Sequence, residues 1–181
     1  MAWNSRGLRG SAFEELINFT NERYRQSKLA LLQKIPTPIT PVQMDSESRT
    51  ITLAYFEKQS TVDYIGVAQG VPIAFDAKET AGKSLPLQNI HEHQIAFMDE
   101  FQQQRGLSFL LVHFSAADVY YLLPFETLKE YWEAAAKGGR KSIPLSAFEE
   151  MYKIEQTGSL LHYLEAVSLY LEKTEEKIQG K

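Results

Sequence analysis

Apolar residues recur along the chain with two periods, one helical and one alternating, and each period predicts one type of element. The helical period predicts four α-helices, at about residues 11–26, 87–104, 124–136 and 159–177. In the first helix the apolar stripe is formed by Phe13, Leu16, Ile17 and Tyr24. Ser11 and Glu14 have the spacing of a capping box at the start of this helix, which gives Glu14 a structural interpretation.

Alternating and short continuous apolar segments predict the β-strands. They lie at about residues 49–56, 107–114 and 118–123, and a hairpin is predicted over residues 61–78 with its turn at Ala68, Gln69 and Gly70. Residues 29–32 form either an early strand or the end of a helix. From residue 11 to the third helix, the predicted order of elements is α-β-β-β-α-β-β-α.

Three prolines interrupt the apolar pattern between residues 34 and 41. Pro36, Pro38 and Pro41 lack a backbone N–H and fix the φ angle, which rules out a helix or a central strand in this segment. An extended, semi-rigid arm and an ordinary surface loop are both compatible with the spacing.

The predicted hairpin carries three charged side chains suited to chemistry. Asp76 and Lys78 are two residues apart on one strand and leave the same face, and Asp63 comes from the facing strand. Two converging carboxylates form a hard-oxygen site for Mg²⁺, and a nearby ammonium can stabilise charge on a phosphate. An exposed ion pair between Asp76 and Lys78 is the alternative. The apolar neighbours favour burial, which requires a charge partner or a metal.

Composition narrows the class of protein. With 181 residues and 44% hydrophobic content the chain can bury one substantial core, so we expect a single domain over residues 1–181. The absence of cysteine excludes disulfides, thiolate zinc sites and cysteine nucleophiles. Neither a signal-peptide pattern nor an apolar segment of membrane-spanning length is found, so we expect a cytoplasmic protein without membrane contact.

Charge is unevenly distributed along the chain, whose net charge is −4. Residues 1–43 contain six Lys or Arg and three Glu, a net +3, so the remaining residues carry −7. A basic amino-terminal end can follow a phosphate backbone while the rest of the chain stays acidic. The overall charge is therefore compatible with a nucleic-acid partner.

Several short motifs follow one another in a specific order from about residue 9 to residue 143. They are Arg9-Gly10-x-x-Phe13-Glu14 with Asn18 and Asn21, Lys34-x-Pro36-Thr37-Pro38, Thr61-x-Asp63-Tyr64-x-Gly66, Ala77-Lys78-Glu79-Thr80, Pro86-Leu87-Gln88-Asn89-x-His91-x-His93-Gln94 and Gly139-Arg140-Lys141-Ser142-Ile143. In order and spacing they resemble the motifs of the PD-(D/E)xK nuclease superfamily and, within it, those of the RecU Holliday junction resolvases.

The resemblance implies an α/β fold of the restriction-endonuclease type, with a mixed sheet and an αβββαβ core. A Pro-rich stalk at about residues 34–56 is expected to project through the centre of a four-way junction. The implied activity is hydrolysis of phosphodiesters in Holliday junctions with Mg²⁺ or Mn²⁺, in homologous recombination and repair. The implied assembly is a cytoplasmic homodimer whose two sites cut opposed strands, and a RecA-type recombinase is a further expected partner.

The resemblance also implies roles for single residues. The expected metal ligands are Asp63, Asp76 and Gln94, together with the carbonyl of Ala77. Hydrogen bonding within the core is an equally good interpretation of Gln94. The expected catalytic residues are Asp63, Asp76, Glu14 and Lys78, the last beside the attacking water. DNA contacts are expected at Arg9, Lys34, Thr37, Arg140 and Lys141.

Two departures from the family pattern leave alternatives open. RecU proteins typically have Glu where this chain has Asp76, and the expected stalk carries Asp45 and Glu47 with only Arg49 near its tip. One alternative is therefore a non-catalytic protein of the same fold that binds junctions or modulates a recombinase. The other is a general DNA endonuclease of the same superfamily.

Overall fold

Four α-helices lie in the described part of the chain, which comprises residues 12–56 and 61–180 of this computed structural model. They are α1 (Ala12–Gln26), α2 (Glu92–Gln103), α3 (Phe125–Ala136) and α4 (Tyr163–Gln179). None of these described helices is long and apolar enough to cross a membrane. Ser11 lies outside the described residues, so the predicted capping box with Glu14 does too.

Twelve strands lie in the same described residues. They are β1 (Ala30–Lys34), β2 (Ile39–Asp45), β3 (Thr50–Phe56), β4 (Tyr64–Ala68), β5 (Val71–Thr80), β6 (Ser84–Pro86), β7 (Leu107–Phe114), β8 (Val119–Pro124), β9 (Ser142–Pro144), β10 (Lys153–Ile154), β11 (Gln156–Thr157) and β12 (Leu160–Leu161). Six of them form one sheet in the order β1-β4-β5-β7-β8-β10. Only β5 and β7 are parallel neighbours in this sheet, and α2 lies between them in the chain. The mixed α/β fold predicted from the sequence is confirmed.

Helices cover both faces of the six-stranded sheet. α1 and α4 pack on one face, where Ile17, Phe109 and Tyr163 belong to one buried cluster. α2 and α3 pack on the other face, where Met98 and Leu110 belong to a second cluster. The central strand β7 is consequently buried on both sides, which explains its nearly continuous apolar sequence.

The carboxy-terminal helix begins at Tyr163 and ends at Gln179, so the predicted span of about 159–177 starts too early. Leu161 is held in an extended conformation by two hydrogen bonds to α1. Its N–H donates to Thr20 Oγ1 at 3.0 Å, and its carbonyl accepts from the Tyr24 hydroxyl at 2.6 Å. These contacts between distant residues override the helical pattern and place residues 160–161 in β12.

Three further differences concern strands. Residues 29–32, which could have been strand or helix end, contribute to β1. β5 continues to Thr80, into the predicted loop, because it pairs with β7 from Ile73 onward. β10 has only two residues, too few to show a period, yet it forms one edge of the main sheet.

β2 and β3 form a two-stranded hairpin separate from the main sheet. Every residue of β2 is exposed, and the exposed large apolar side chains of the hairpin are Ile39, Val42, Met44, Ile51, Leu53 and Tyr55. At the base of the hairpin the N–H of Ile35 donates to the carbonyl of Asp63 at 2.7 Å. The Pro-rich segment therefore leads from the main sheet into an exposed hairpin.

Two glycines fix the strands that carry the predicted site. At Gly66 the neighbouring strand β1 approaches so closely that a Cβ would lie 2.0 Å from the carbonyl oxygen of Leu31. Gln69 and Gly70 have φ values of +49° and +92°, the left-handed pair of a type I′ turn, and they connect β4 to β5. The position and register of these two strands are thereby defined.

Candidate active site

The two predicted acids meet at the open end of the β4–β5 ladder. The last pair of this ladder is Tyr64 with Phe75, and Asp63 and Asp76 are the next residue on each strand. Because side chains alternate along a strand, both acids leave the face opposite to Tyr64 and Phe75. Asp63 is close enough to Asp76 for the two carboxyl groups to affect each other electrostatically.

Asp76 is a fully buried carboxylate beside one lysine. Its side chain is 0% exposed, and Lys78 Nζ lies 2.8 Å from Oδ2. Neither carboxylate oxygen accepts a hydrogen bond of acceptable geometry from the described residues, so the contact with Lys78 is an ion pair alone. Burial excludes the exposed ion pair that the sequence spacing also allowed. Burying an ionised carboxylate that accepts no hydrogen bond is unfavourable in free energy, and a neighbouring cation offsets this cost.

Asp63 resists ionisation in this position. Burial, followed by the close approach and the negative charge of Asp76, raises the pKa of Asp63 from 3.8 to about 7. The charge of Lys78 and the N–H of Ala77 act in the opposite direction. A divalent cation between the two carboxylates would remove the repulsion and favour both ionised forms.

The backbone of Ala77 adds a suitable oxygen to this pair. Its N–H faces Asp63, and the N–H and C=O groups of one strand residue leave the same edge, so its carbonyl faces that side as well. Within residues 12–56 and 61–180, no three His, Asp or Glu side chains form a metal-binding group. Mg²⁺ is commonly held by one or two carboxylates with waters and phosphates completing the shell. Asp63, Asp76 and the Ala77 carbonyl therefore fit a hard divalent cation.

Glu14 lies in the first turn of α1 and forms an ion pair with Lys34 at the end of β1. The exposed fractions of the two side chains are 27% for Glu14 and 40% for Lys34. The structure thus brings a predicted catalytic acid and a predicted DNA-binding residue into direct contact. This pairing could not be predicted from spacing, because the two residues are 20 positions apart on different elements.

The Tyr64 hydroxyl lies near the predicted acids, which sequence reasoning did not indicate. The hydroxyl donates to Asn18 Oδ1 at 3.0 Å. Burial, followed by the charges of Glu14, Asp63 and Asp76, raises the pKa of Tyr64. The hydroxyl is therefore within electrostatic range of all three predicted acids. The available signal was the position of Tyr64 beside Asp63 in its motif, but strand alternation assigns the two residues to opposite faces.

Gln94 is buried near the start of α2. Its Oε1 accepts a hydrogen bond from the N–H of His91 at 2.9 Å, as the third residue of a capping arrangement. That oxygen is the only side-chain atom of Gln94 able to bind a cation. The structure thus supplies the hydrogen bond within the core that was the alternative interpretation of this residue, and metal binding by Gln94 stays a prediction.

The predicted DNA contacts lie on two parts of the surface. Lys34 and Thr37 are exposed at the base of the β2–β3 hairpin, and Arg140 and Lys141 are exposed just before β9. Arg140 Nε donates to Ser142 Oγ at 3.1 Å. Arg9 lies outside the described residues.

Comparison with known proteins identifies similar sequences over most of the chain. The family model RecU, Recombination protein U, matches residues 8–169. A protein named Holliday junction resolvase RecU from Pediococcus pentosaceus is 43% identical over 172 residues, which cover 92% of this chain and 86% of the relative. Proteins with the same name from Lactococcus lactis subsp. cremoris and Leuconostoc citreum are 46% and 42% identical, over 90% and 92% of this chain and 78% and 83% of their own length.

A solved structure shares the fold at much lower sequence identity. It is Hjc from Archaeoglobus fulgidus, described as a Holliday junction resolvase from an archaeal hyperthermophile. The two structures superpose with a TM-score of 0.51 and 10% sequence identity, over 87% of this chain and 99% of Hjc. This similarity supports the restriction-endonuclease type of fold.

Proposed function

This chain belongs to the RecU family, and we infer from that membership and from its site that it is an endonuclease that resolves Holliday junctions. The observation that carries the inference is the convergence of Asp63 and Asp76 beside Lys78 on adjacent strands. In a nuclease of this type two buried carboxylates repel each other when both are ionised. A cation bound between them removes this repulsion. The raised pKa of Asp63 and the oxygens of Asp76 that accept no hydrogen bond from the described residues both fit that arrangement.

We propose Mg²⁺ or Mn²⁺ as the cofactor, with Asp63, Asp76 and the Ala77 carbonyl as the groups that hold it. When bound, such a cation supplies positive charge to the phosphate and lowers the pKa of water at the site. Lys78 keeps its ammonium beside Asp76, where it can orient a water and stabilise the negative charge that develops on the phosphate in the transition state. Asp76 is fully buried, so its surroundings have a lower dielectric constant than water, and electrostatic stabilisation by Lys78 is stronger there.

Three further residues are proposed to support the site. Glu14 is a third acid within electrostatic range of the Tyr64 hydroxyl, and we propose that it holds a water near the scissile phosphate. Lys34 forms an ion pair with Glu14 and would restrict its orientation. Gln94 remains a weaker proposal for metal binding, because the N–H of His91 already engages its oxygen.

We propose that the β2–β3 hairpin is the stalk that enters the centre of the junction. Its separation from the main sheet and its exposure support this role. Lys34 and Thr37 at its base, with Arg9, Arg140 and Lys141 elsewhere, are proposed to contact phosphates. Recognition would then depend on the shape of the junction and on its backbone more than on base edges.

The assembly is proposed to be a cytoplasmic homodimer. A Holliday junction has two opposed strands to cut, and a two-fold axis presents two identical sites to them. A RecA-type recombinase is a further proposed partner.

Cleavage of a synthetic mobile four-way junction tests the activity. The wild-type protein is incubated with end-labelled junction in Mg²⁺ or Mn²⁺, beside Asp63→Ala and the matched control Asp99→Ala. Asp99 is a surface carboxylate on α2 that pairs with Lys129. We expect the wild type and Asp99→Ala to cut opposed strands alike, and Asp63→Ala to be slower by at least about 100-fold.

The same assay separates the alternative functions. Junction binding without cleavage by the wild type in either metal would identify a non-catalytic junction-binding protein. Linear duplex cut as fast as the junction would identify a general endonuclease. Equal rates for the wild type and Asp63→Ala would contradict the proposed site.

A further inference from the structure

Two segments without any acidic residue come together beside the catalytic strand. Residues 80–91 and 134–148 contain four Lys or Arg and no Asp or Glu, whereas the whole chain has a net charge of −4. The antiparallel pairing of β6 with β9 joins these segments, which are about 50 positions apart in the sequence. The four cations are Lys83, Lys137, Arg140 and Lys141, and all are exposed. We call residues 83–87 and 141–145 the cationic ribbon.

Backbone hydrogen bonds place one lysine at each end of the ribbon. The carbonyl of Lys83 accepts from the N–H of Leu145 at 3.0 Å, and the carbonyl of Lys141 accepts from the N–H of Leu87 at 3.1 Å. Between them, the central pair of Leu85 with Ile143 is fully buried and anchors the ribbon to the core. The two lysines are therefore fixed at the backbone while their side chains reach solvent.

The ribbon is also attached directly to the strand that carries Asp76 and Lys78. Thr80 ends that strand, and its Oγ1 donates to the carbonyl of Ser84 at 3.2 Å and accepts from the N–H of Gly82 at 3.2 Å. Lys83 follows Lys78 by five residues, so the two lie within about 18 Å of each other.

The four cations are not neutralised by neighbouring acids. Within the described residues none of them forms an ion pair, in contrast to Lys34, Lys129 and Lys173. Glu79 and Glu133, the nearest acids in the sequence, lie four positions from Lys83 and Lys137, and neither forms an ion pair with them; Glu79 lies 3.4 Å from His113 Nδ1. An exposed group of like charges without counter-charges attracts a polyanion.

We propose that the cationic ribbon and the loop before it bind the phosphates of a duplex arm next to the cleavage point, with Lys83 and Lys137 as contacts in addition to Arg140 and Lys141. This proposal rests on the proposed function, because it assigns a position to the DNA of that reaction. The ends of the ribbon are about 13 Å apart along the strands. A duplex strand carries one phosphate per about 3.4 Å of its axis, so Lys83 and Lys141 reach separate phosphates.

Salt-dependent binding tests the proposal in the absence of cleavage. Labelled four-way junction, and linear duplex with the sequence of one arm, are titrated with full-length protein in EDTA at several salt concentrations. The variants are Lys83→Gln, Lys141→Gln, the double substitution and Lys177→Gln, a matched exposed lysine of α4. Lys83→Arg retains the charge and serves as the conservative variant.

We expect each ribbon substitution to weaken binding about 3- to 10-fold and to lower the slope of log K against log salt by about 1, and the double substitution by about 2. Because a duplex arm is common to both substrates, junction and linear DNA should lose affinity equally. Lys177→Gln and Lys83→Arg should match the wild type.

Slopes equal to that of the wild type in Lys83→Gln and Lys141→Gln would overturn the proposal, and so would a loss of affinity confined to the junction. Either result leaves the proposed function intact if the wild type still resolves junctions. A wild-type protein that binds neither DNA would instead contradict the proposed function and, with it, the ribbon.

Discussion

At the residue scale, Asp63 determines how the site responds to pH. The pKa of Asp63 is about 7 in the folded protein and 3.8 in its ordinary state, so between these values the folded chain binds a proton that the unfolded chain has lost. The free energy of unfolding of the metal-free protein is therefore expected to fall as pH rises from about 4 to about 7. Above pH 7 this contribution stays at its lower value.

Replacing Asp63 by Asn should remove that pH dependence. The amide keeps the shape of the side chain but carries no charge beside Asp76, so we expect Asp63→Asn to be more stable than the wild type at pH 8 by on the order of 1 kcal/mol. At pH 4, where the unfolded chain also binds much of this proton, the difference should be small. Urea denaturation in EDTA at both pH values measures the difference.

Excess Mg²⁺ should then raise the unfolding midpoint of the wild type but not that of Asp63→Asn, because only the wild type keeps both acids. Asp99→Asn, on the surface of α2, is the control and should follow the wild type in every condition. If the free energy of unfolding depends on pH in the same way for Asp63→Asn and the wild type, the pKa of Asp63 is not raised in the folded protein.

The spacing predicted that Asp63, Asp76 and Lys78 lie close together, as they do in the structure, because alternation along a hairpin is a local property of the chain. Their roles in catalysis stay a prediction. It could not predict the ion pair of Glu14 with Lys34, which depends on how α1 packs against the sheet. The closeness of the Tyr64 hydroxyl to the acids also could not be predicted. Alternation places these side chains on opposite faces, and only the arrangement at the end of β4 brings them near each other.

At the scale of elements, the contact between β1 and β4 is the tightest constraint near the site. Gly66→Ala should lower the free energy of unfolding by more than about 2 kcal/mol, because its Cβ would overlap the Leu31 carbonyl and separate the two strands. Gly82→Ala is the matched control, since its Cβ would meet its nearest atom at 3.6 Å. Urea denaturation compares the two, and a Gly66→Ala protein as stable as Gly82→Ala would contradict this close approach.

The β2–β3 hairpin should be separable from the stability of the main sheet. Ile39 pairs with Phe56, so a short Gly-Ser linker can replace residues 38–56 with little strain. We expect the deletion to change the free energy of unfolding by about 1 kcal/mol or less, because the hairpin is largely exposed. Affinity for linear duplex should persist while the preference for four-way junctions is lost, as band-shift titrations would show. A junction preference unchanged by the deletion would refute the proposed stalk.

Element prediction was accurate where the apolar period was long and failed where pairing was not local. α1 and β7 follow their patterns closely, whereas β10 and β12 have two residues each and depend on pairing with β8 and β11 and on contacts with α1. The β6–β9 ribbon also escaped prediction, because its two strands of three residues each are about 50 positions apart. The cationic surface that it creates was therefore absent from the sequence-based picture.

At the scale of the whole molecule, both cores lie on the two faces of one sheet. We therefore propose that the described residues unfold together as a single domain. One chain carries one pair of the proposed catalytic acids at one end of this sheet, so paired cuts in one junction would use the second chain of the proposed homodimer.

Mixed dimers can test this requirement. Wild-type protein and Asp63→Asn are refolded together in equal amounts and incubated with a cruciform plasmid. Homodimers of the wild type should linearise the plasmid by paired cuts, whereas mixed dimers should leave nicked circles, visible by gel electrophoresis. A mixture that yields only linear product and uncut plasmid would contradict two cooperating sites.

The parallel pairing of β5 with β7 also has a consequence for biosynthesis. β4 and β5 are joined by a short turn and can pair as soon as they leave the ribosome. β7 is made later, because α2 lies between β5 and β7 in the chain and β7 ends only at Phe114. Until then Asp76 lacks the strand that buries it on one side. The newly made chain is therefore expected to complete the proposed catalytic site late, after more than half of its residues have been translated.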